Sequence, residues 1–540
     1  VVINGEIMSS EKNLKPSKLK KGKKGEKNIL LTCFKIVAVS VIFVLQIVFM
    51  AFMYTTTRGI YIYARYVFEA LKVITALFIL YKHDSAAYKI SWIVFILVFP
   101  VVGIVAYILW GNSKLRKKEE LKLRKIRVDT ENSLESKEEV KEALKKEDIY
   151  KYMQANYINK ISGYPVYFNQ GVEYFDIGEN FFKSLNEDLK KAKNYIFIEF
   201  FIISQGKLWN ETFEILKEKA KEGVEIKIII DSFGSLLKKP KNFKEELEQY
   251  GIKLYKFNPF SPVINGYINY RDHRKIVVID GVVSYTGGVN LADEYANLIE
   301  RFGYWKDGGI KVEGEATKSF LMMFLRNIEE ITLQKVDYEK YIKISEENLP
   351  KRNINKNNVG FIAPFADGPD NRKNPIENIY IQTLNYAKKY VYMTTPYFIV
   401  SENILNAILN SARSGVDVRL IVPYIPDKKI VNVATKSYYE VLLEAGVKVY
   451  EYKPGFIHSK TFVSDDEVSI VGTANIDFRS MNLNFECTTW TYKTNVEKDV
   501  REDFENMLKE CKEINLDEWK KRSIFRKMAE GFVAAFSPMM

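Results

Sequence analysis

The residues from Asp272 to Asn290 read DHRKIVVIDGVVSYTGGVN, and a second stretch from Ile457 to Asn475 reads IHSKTFVSDDEVSIVGTAN. Both contain His-x-Lys, then four residues, Asp, six residues and Gly. The chain has only three histidines, and two of them occupy the same position of this pattern. Chance places Lys, Asp and Gly at these offsets from a given histidine at a rate on the order of one in a thousand or less. The repeat therefore predicts a molecule built from two copies of one unit.

The two copies contribute matching sets of polar residues. The first set is His273, Lys275, Asp280, Gly288 and Asn290, and the second is His458, Lys460, Asp465, Thr473 and Asn475. The His and Lys of each set are two residues apart on a predicted strand, so both point to one face of the sheet. A short turn at Asp280-Gly281, or at Asp465 to Glu467, then returns the chain and brings the Asn beside them.

The repeat extends to the elements ahead of each motif. In the first copy the sequence predicts a helix near 181–191, a strand at 195–203, a helix near 212–221, a strand ending at Asp231, the helix KEELEQYG and the strand IKLYKF. In the second copy it predicts a helix near 377–388, a strand from Tyr390, a helix near 404–413, a strand ending at Pro423, the helix SYYEVLLEAG and the strand VKVYEY. Alternating strands and helices are typical of βαβ crossovers. We therefore expect an α/β fold of two pseudo-symmetric domains, each a mixed, largely parallel sheet flanked by helices.

Two copies that face each other across a cleft supply what one copy lacks. A displacement at a tetrahedral centre needs a nucleophile and a general acid on opposite sides, and each copy has one imidazole. Two lysines and two Asn amides that converge on one point suit a phosphoryl group. The sequence has no metal-ligand spacing, so we expect neither a metal nor another cofactor.

Each imidazole also needs an acceptor that fixes its second nitrogen. The candidates are Asp307 and Glu486, which follow the histidine of their own copy by 34 and 28 residues. Surface or packing roles for these two carboxylates are the alternative. Asp280 and Asp465 are included in the catalytic set, mainly as local orienters of the motif.

Charge and apolar segments favour an anionic membrane partner. The net charge of the 540-residue chain is +12, which fits either nucleic acid or an anionic lipid surface. Residues 1–28 are rich in lysine and predicted to be a disordered tail. Residues 29–111 form a predicted membrane-anchor region with two or three transmembrane helices. The segments 29–54 and 91–110 are predicted to cross, and 61–81 either crosses or lies along the interface.

The rest of the chain divides into four predicted parts. These are a charged, solvated linker (112–160), a first domain (161–345), a second domain (346–515) and a C-terminal amphipathic helix (516–540). In the last part Trp519, Ile524, Phe525, Met528, Phe532 and Phe536 can form one apolar stripe. Such a stripe is typical of a helix at a membrane interface, and the alternative is a terminal helix packed on the domain.

The two H-x-K-x4-D-x6-G[GT]-x-N motifs strongly resemble those of the phospholipase D superfamily. From about Ser91 to the C-terminus the chain resembles the bacterial cardiolipin synthases, including PVVG (Pro100–Gly103), IEFFI, YWKD, TPYF and NFE. The segment 29–54 and the Lys-rich tail are additions to the common pattern. The resemblance implies a multi-pass enzyme of the bacterial inner membrane that acts on phosphatidylglycerol through a covalent phosphohistidine.

In that mechanism one phosphatidylglycerol transfers its phosphatidyl group to another, which gives cardiolipin and glycerol. By resemblance, His273 is the nucleophile and His458 the acid and base. Other phosphatidyltransferases, hydrolytic phospholipases and nucleases of the superfamily are the rival activities. A nuclease is disfavoured because the positive charge is concentrated in the tail and linker, near the apolar segments. A membrane scaffold without activity is disfavoured because both motifs are intact to Asn290 and Asn475.

Overall fold

The structure is a computed structural model that describes residues 60–539 and residues 48, 51 and 55. Residues 112–114, 116, 131–132, 237, 260–268, 350–358 and 372 are outside the described set. The predicted tail (1–28) and nearly all of the predicted crossing 29–54 also lie outside it. Contacts divide the chain into two units, one up to Lys82 together with Ile93–Ala106, and one of His83–Trp92 together with Tyr107–Met540.

The N-terminal part contains one longer helix, followed by two short helices where a single crossing at 91–110 was predicted. The helices are α1 (Ile60–Tyr81), α2 (Ala86–Val98) and α3 (Pro100–Trp110). The prediction of a single crossing is wrong because Pro100 has no N–H to continue a helix and instead begins α3. The chain doubles back there, with the rings of Trp92 and Tyr107 5.3 Å apart and Gly103 against the backbone of Ile96. Within the described ranges, no helix has both the length and the apolar content to cross a membrane.

The predicted linker is folded onto the catalytic part of the chain. It contains α4 (Lys117–Asp129), α5 (Glu138–Glu147) and α6 (Ile149–Ser162). We expected a solvated segment, yet several of its apolar residues are buried, and Leu144 and Ile158 are fully buried in the main core. Lys122 donates to the carbonyl of Glu330 at 2.8 Å, which holds α4 against the first domain.

The first domain has a seven-stranded sheet. Its elements are β1 (Tyr167–Phe168), β2 (Val172–Phe175), α7 (Gly178–Leu189), β3 (Tyr195–Phe200), α8 (Lys207–Lys221), β4 (Glu225–Asp231), α9 (Phe243–Glu248), β5 (Lys253–Phe257), β6 (Arg271–Asp272), β7 (Ile276–Ile279), β8 (Val283–Gly287), β9 (Tyr304–Lys306), β10 (Gly309–Glu313), α10 (Thr317–Thr332) and α11 (Tyr338–Asn348). The sheet order is β2-β10-β8-β7-β3-β4-β5. β1 pairs instead with the sheet of the second domain.

The second domain repeats this plan. Its elements are β11 (Phe361–Asp367), α12 (Pro375–Tyr386), β12 (Tyr390–Thr394), β13 (Phe398–Ile399), α13 (Glu402–Arg413), β14 (Asp417–Pro423), α14 (Lys429–Ser437), α15 (Tyr439–Glu444), β15 (Lys448–Tyr452), β16 (Gly455–Ile457), β17 (Thr461–Ser464), β18 (Val468–Gly472), β19 (Ile476–Asp477), α16 (Phe478–Asn482), β20 (Asn484–Tyr492), α17 (Val496–Leu508), β21 (Cys511–Glu513), α18 (Leu516–Lys520) and α19 (Ile524–Ala535). The sheet order is β1-β11-β20-β18-β17-β12-β14-β15-β21.

The predicted helices and strands ahead of each histidine are present in the predicted order, but the sheets are mostly antiparallel. Along the two sheet orders just given, the runs β3-β4-β5 and β12-β14-β15 are parallel and the other neighbouring strands are antiparallel. Each histidine motif continues into a hairpin, β7-β8 or β17-β18, and the strands that follow pair with it antiparallel. The predicted turn is present, since Asp280 and Gly281 both have positive φ, as a tight hairpin of this hand requires.

Candidate active site

Each of the two motif histidines is held by a strand of the opposite copy. β6 ends one residue before His273 and pairs in parallel with the start of β20. β16 ends one residue before His458 and pairs in parallel with β9. The N–H of His273 therefore donates to Phe485 O at 2.9 Å, and the N–H of His458 donates to Lys306 O at 2.7 Å. The two copies are joined at the histidines themselves.

This exchange places each imidazole beside a carboxylate of the other copy. Nδ1 of His273 lies 2.9 Å from both carboxylate oxygens of Glu486. Nδ1 of His458 lies 2.6 Å from Oδ2 of Asp307. We expected each carboxylate to serve the histidine of its own copy, and the structure pairs them crosswise. The reason is that β9 and the first two residues of β20 each pair with the strand ahead of the other histidine, while the rest of β20 stays in its own sheet.

Burial and hydrogen bonds give the His273–Glu486 pair a single proton. Burial lowers the pKa of His273 to about 4, against the attraction of the Glu486 charge. Burial alone would raise the pKa of Glu486, but the imidazole, Lys275 and the Thr473 hydroxyl lower it overall. The shared proton therefore sits on Nδ1, facing the carboxylate, and Nε2 keeps its lone pair.

The His458–Asp307 pair has a different proton count. Burial raises the pKa of Asp307 to about 7, although the charge of Lys460 opposes this. Burial and the Lys460 charge hold the pKa of His458 well below its ordinary value. Near neutral pH the carboxyl can therefore be protonated toward Nδ1 while Nε2 carries its own hydrogen. That is the same proton count as an imidazolium beside a carboxylate, so the pair can act as an acid.

The two motif lysines lie beside these pairs. Lys275 Nζ is 2.5 Å from His273 O, and Lys460 Nζ is 2.9 Å from His458 Nδ1. Burial lowers the pKa of Lys275 to about 8 and that of Lys460 to about 7. Each ammonium charge also lowers the pKa of both imidazoles, so the four groups are close enough to interact as one site. An anion bound at this site favours the charged form of both lysines.

The two Asn residues predicted to bind phosphate lie in the site, but their amide groups bond to protein. Asn290 Nδ2 donates to Tyr295 OH at 2.8 Å. Asn475 Nδ2 donates to Asp477 Oδ2 at 3.2 Å. Asp477 is itself buried, and its charge acts on Lys460. In this structure the Asn side chains therefore brace the walls of the pocket.

Gly288 and Thr473, also predicted to bind phosphate, instead contact the two carboxylates. A Cβ on Gly288 would lie 2.1 Å from Oδ1 of Asp307, so this position is filled by the carboxylate. Thr473 Oγ1 donates to Oε2 of Glu486 at 2.5 Å. The matching positions of the two copies thus support their carboxylates in different ways.

Asp280 and Asp465 are not near the imidazoles. Asp280 accepts from the backbone N–H groups of Lys193, Asn194 and Tyr195 at 2.7, 2.7 and 2.8 Å. Asp465 accepts from those of Lys388, Lys389 and Tyr390 at 2.7, 2.9 and 2.9 Å. Each Asp lies at the far end of its motif strand, roughly 20 Å along the chain from its histidine. We therefore correct their place in the catalytic set, because they anchor the start of β3 and β12.

Several residues of the site were missed at the sequence level. The rings of Tyr295, Trp305 and Phe456 lie 5.5, 5.6 and 5.7 Å from the His458 ring, and the Phe201 ring lies 5.2 Å from that of His273. Trp305 and Phe201 lie in the YWKD and IEFFI stretches, but nothing in the sequence linked any of these four rings to a histidine, and the fold brings them there. In the part of the chain that the structure describes, no three His, Cys, Asp or Glu side chains are grouped to hold a metal ion.

Two α/β copies that share one pocket, with two His–carboxylate pairs and two lysines, define a phospholipase D-like enzyme. A family profile described as cardiolipin synthase, PLD-like domain, matches residues 185–300 and 380–508. A second profile, phospholipase D-nuclease N-terminal, matches residues 70–112.

Sequence relatives point to the same family, and a solved structure shares the fold. A cardiolipin synthase 2 of Bacillus anthracis is 34% identical over 85% of this chain and 88% of its own. An uncharacterized protein of Streptococcus mutans is 38% identical over 84% of this chain and 96% of its own. The crystal structure of a phosphatidylserine synthase from Haemophilus influenzae shares the fold, with a TM-score of 0.54 and 14% identity over 71% of this chain and all of that one. The chain belongs to the cardiolipin synthase family and is a phosphatidyltransferase.

Proposed function

We propose that the pocket joins two phosphatidylglycerol molecules through a phosphatidyl group carried on His273. The observation that supports this is the difference between the two His–carboxylate pairs. His273 has a free lone pair on Nε2, because its single shared proton faces Glu486. His458 and Asp307 can together hold a second proton, so this pair supplies the acid. A nucleophile and an acid on opposite sides of one phosphorus are what the displacement needs.

The reaction has two balanced steps. In the first, Nε2 of His273 forms a bond to phosphorus, the bond from phosphorus to the glycerol oxygen breaks, and His458 gives that oxygen its proton. In the second, the hydroxyl of another phosphatidylglycerol loses its proton to His458, its oxygen bonds to phosphorus, and the bond to His273 breaks. Lys275 and Lys460 stabilise the charge on the phosphoryl oxygens in both steps.

Trapping the intermediate tests this division of roles. Purified enzyme is mixed briefly with phosphatidylglycerol vesicles, quenched, digested and analysed by mass spectrometry. We expect cardiolipin and glycerol as products, and a phosphatidyl adduct on the peptide that contains His273. An adduct on the His458 peptide instead reverses the roles. Phosphatidic acid as the sole product would make the protein a phospholipase.

We further propose that α19 rests in the surface of an anionic bilayer. Four large apolar side chains are exposed on this helix, namely Ile524, Phe525, Met528 and Phe532. We predicted a stripe of six, but Trp519 turns inward and stacks on Tyr439 with ring centroids 4.8 Å apart. Phe536 lies in the half-buried class. An exposed apolar face of this size on one helix is typical of interfacial insertion.

Most of the basic residues around α19 are already paired within the protein. Lys520 lies 2.7 Å from Glu444, Arg522 lies 2.6 Å from Glu530, and Lys527 lies 3.1 Å from Glu440. The apolar side chains are therefore the larger contribution to binding, and added salt should weaken it little. This differs from a helix that is held mainly by its positive charge.

Vesicle sedimentation tests this surface. Phe525→Gln with Phe532→Gln should reduce binding to phosphatidylglycerol vesicles at both low and high salt. Leu333→Gln is the matched control, because Leu333 is equally exposed but lies at the end of α10. Unchanged sedimentation of the double variant contradicts the proposal.

The location we propose is the bacterial inner membrane. Of the predicted crossings, 29–54 remains as a proposal outside the described residues. Residues 91–110 lie in two short helices, and 61–81 lies in α1. The partners that we propose are the bound anionic phospholipid and the bilayer. We propose no nucleic-acid partner.

A further inference from the structure

Glu486 has side-chain donors that Asp307 lacks. Thr473 Oγ1, Ser480 Oγ and Asn484 Nδ2 lie 2.5, 2.8 and 3.2 Å from its carboxylate oxygens. Asp307 accepts from the backbone N–H of Gly308 at 2.9 Å and contacts His458. Across the described ranges, no hydroxyl or amide side chain donates to Asp307. The two carboxylates therefore have the same place in the repeat and different surroundings.

The difference appears at three matching positions of the two copies. The matching pairs are Thr473 with Gly288, Ser480 with Tyr295, and Asn484 with Trp305. The first two pairs share their spacing from the motif Asn, and the third lies two residues before each carboxylate. At these positions the second copy has three donors to Glu486. The first copy instead has Gly288, which leaves space for Asp307, and the rings of Tyr295 and Trp305, which lie against His458.

Both hydroxyls are already oriented toward Glu486 by the backbone. Thr473 Oγ1 accepts from the N–H of Cys487 at 3.0 Å, and Ser480 Oγ accepts from the N–H of Asn475 at 3.1 Å. A hydroxyl has one hydrogen, and an oxygen that accepts a backbone N–H directs that hydrogen elsewhere. The Ser480 hydrogen bonds to the carboxylate, and the shorter of the two bonds open to the Thr473 hydrogen, 2.5 Å against 3.1 Å to Cys487 O, is also to the carboxylate. Hydrogen bonds to an ionised acceptor are stronger than neutral ones and favour ionisation.

We propose that Thr473, Ser480 and Asn484 are positioning residues that hold Glu486 ionised and thereby assign the nucleophilic role to His273. The aromatic walls of the first copy leave Asp307 to share a mobile proton with His458. The two halves of the repeat have thus diverged into an attacking half and a proton-transferring half. This inference rests on the proposed function. It explains the division of roles between the two histidines by the different surroundings of the two carboxylates.

Removing the Thr473 hydroxyl tests the inference. Thr473→Val keeps the shape of the side chain and removes its donor to Glu486. The His273–Glu486 pair then binds a second proton more readily, so the lone pair on Nε2 is lost at a higher pH. We expect the acid limb of the pH–rate profile for phosphatidyl-enzyme formation to move up by about one pH unit. At pH values below this limb the variant should react roughly tenfold more slowly than the wild type. At pH 8 the rate should be close to that of the wild type.

Two further variants separate positioning from packing. Thr473→Ser restores a hydroxyl and should return the acid limb to its wild-type position. Ser469→Ala removes another buried hydroxyl of the same sheet, which bonds to Thr491 at 2.7 Å and not to Glu486. It should leave the profile unchanged. Ser480→Ala repeats the test if Thr473→Val does not fold.

The possible outcomes are distinct. The inference is overturned if the acid limb of Thr473→Val coincides with that of the wild type. It is also overturned if the acid limb of Ser469→Ala moves as far as that of Thr473→Val. A wild-type enzyme that forms neither adduct nor cardiolipin overturns the proposed function instead.

Discussion

Glu486→Gln tests the role of the negative charge beside His273. Glu486 is fully buried, and the substitution keeps its size while removing its charge. The amide has one acceptor oxygen, whereas the carboxylate accepts from His273, Thr473, Ser480 and Asn484. The amide oxygen can keep accepting from Ser480 and Asn484. Thr473 can give up its bond to this side chain, because its hydroxyl has a second acceptor in Cys487 O at 3.1 Å. The amide NH2 then faces Thr473 and the imidazole.

This orientation reverses the tautomer of His273. Nδ1 is equally far, 2.9 Å, from both oxygens of Glu486 and can accept from the new NH2 group. Its proton then sits on Nε2, which can no longer attack phosphorus. A wrong tautomer of this kind costs about 10⁴-fold in kcat in a Ser-His-Asp enzyme, and we expect a loss of about 10³-fold to 10⁴-fold here. The free energy of unfolding should change by less than about 2 kcal/mol, because a buried charge is removed together with its bonds.

The measurements are cardiolipin formation from phosphatidylglycerol vesicles and thermal unfolding. Glu497→Gln is the matched control, because Glu497 is equally buried and bonds to the hydroxyls of Thr491 and Thr494, at the opposite end of β20 from Glu486. It should keep its activity. The reasoning is refuted if Glu486→Gln stays within tenfold of the wild-type rate, or if its activity and its Tm fall together.

Three further changes test other parts of the structure. The pKa of Asp307 near 7 means that phosphatidyl-enzyme formation should fall as the pH rises through that value, and Asp307→Asn should move this limb to lower pH in single-turnover assays. Gly288→Ala should cost about 10²-fold in kcat with little change in Tm, because its Cβ would displace the Asp307 carboxylate. Arg274→Met should lower the free energy of unfolding by about 3–5 kcal/mol in urea titrations, because it leaves the buried Glu199 and Asp272 without their cation. An unchanged pH profile of Asp307→Asn, an unchanged rate of Gly288→Ala or an unchanged urea midpoint of Arg274→Met contradicts the corresponding expectation.

The local elements of the fold could be predicted because they follow from short patterns. The strand YIFIEF and its partner EIKIIID are apolar runs of the right length, and both are buried as β3 and β4. Gly223 and Gly415 end helices with positive φ, which explains why glycine marks those boundaries in both copies. The antiparallel strands β10 and β20 were harder to predict, because they lie beyond the repeated motifs, with β10 starting two residues after Asp307 and β20 containing Glu486.

The break at Phe99-Pro100 shows where a composition rule fails. Twenty apolar residues without a charge predict a crossing, and the rule counts apolar content alone. A proline in the middle removes one helical hydrogen bond, and Gly103 allows the two helices to approach closely. The same sequence therefore forms α2 and α3, which double back on each other.

The members of the active site could be predicted, but their partnership could not. The repeated spacing identified both histidines and both lysines, whereas Asp307 and Glu486 were candidates at unequal offsets, with surface or packing roles as the alternative. The His273–Glu486 contact spans 213 residues and the His458–Asp307 contact spans 151. Contacts at such separations are set by which strands pair, and no local pattern distinguishes a crossed pairing from a direct one.

The crossed pairing also explains why the two copies need each other. A single copy would have a histidine without its carboxylate and a β6 or β16 strand with no partner for its backbone groups. Unpaired backbone groups in a buried site are costly, so the strands that exchange are also the strands that hold the histidines in place. Contacts between residues so far apart in sequence carry a loop-closure cost that is met before the contact forms. A nucleophilic imidazole and its proton donor are therefore assembled only in the complete two-domain chain.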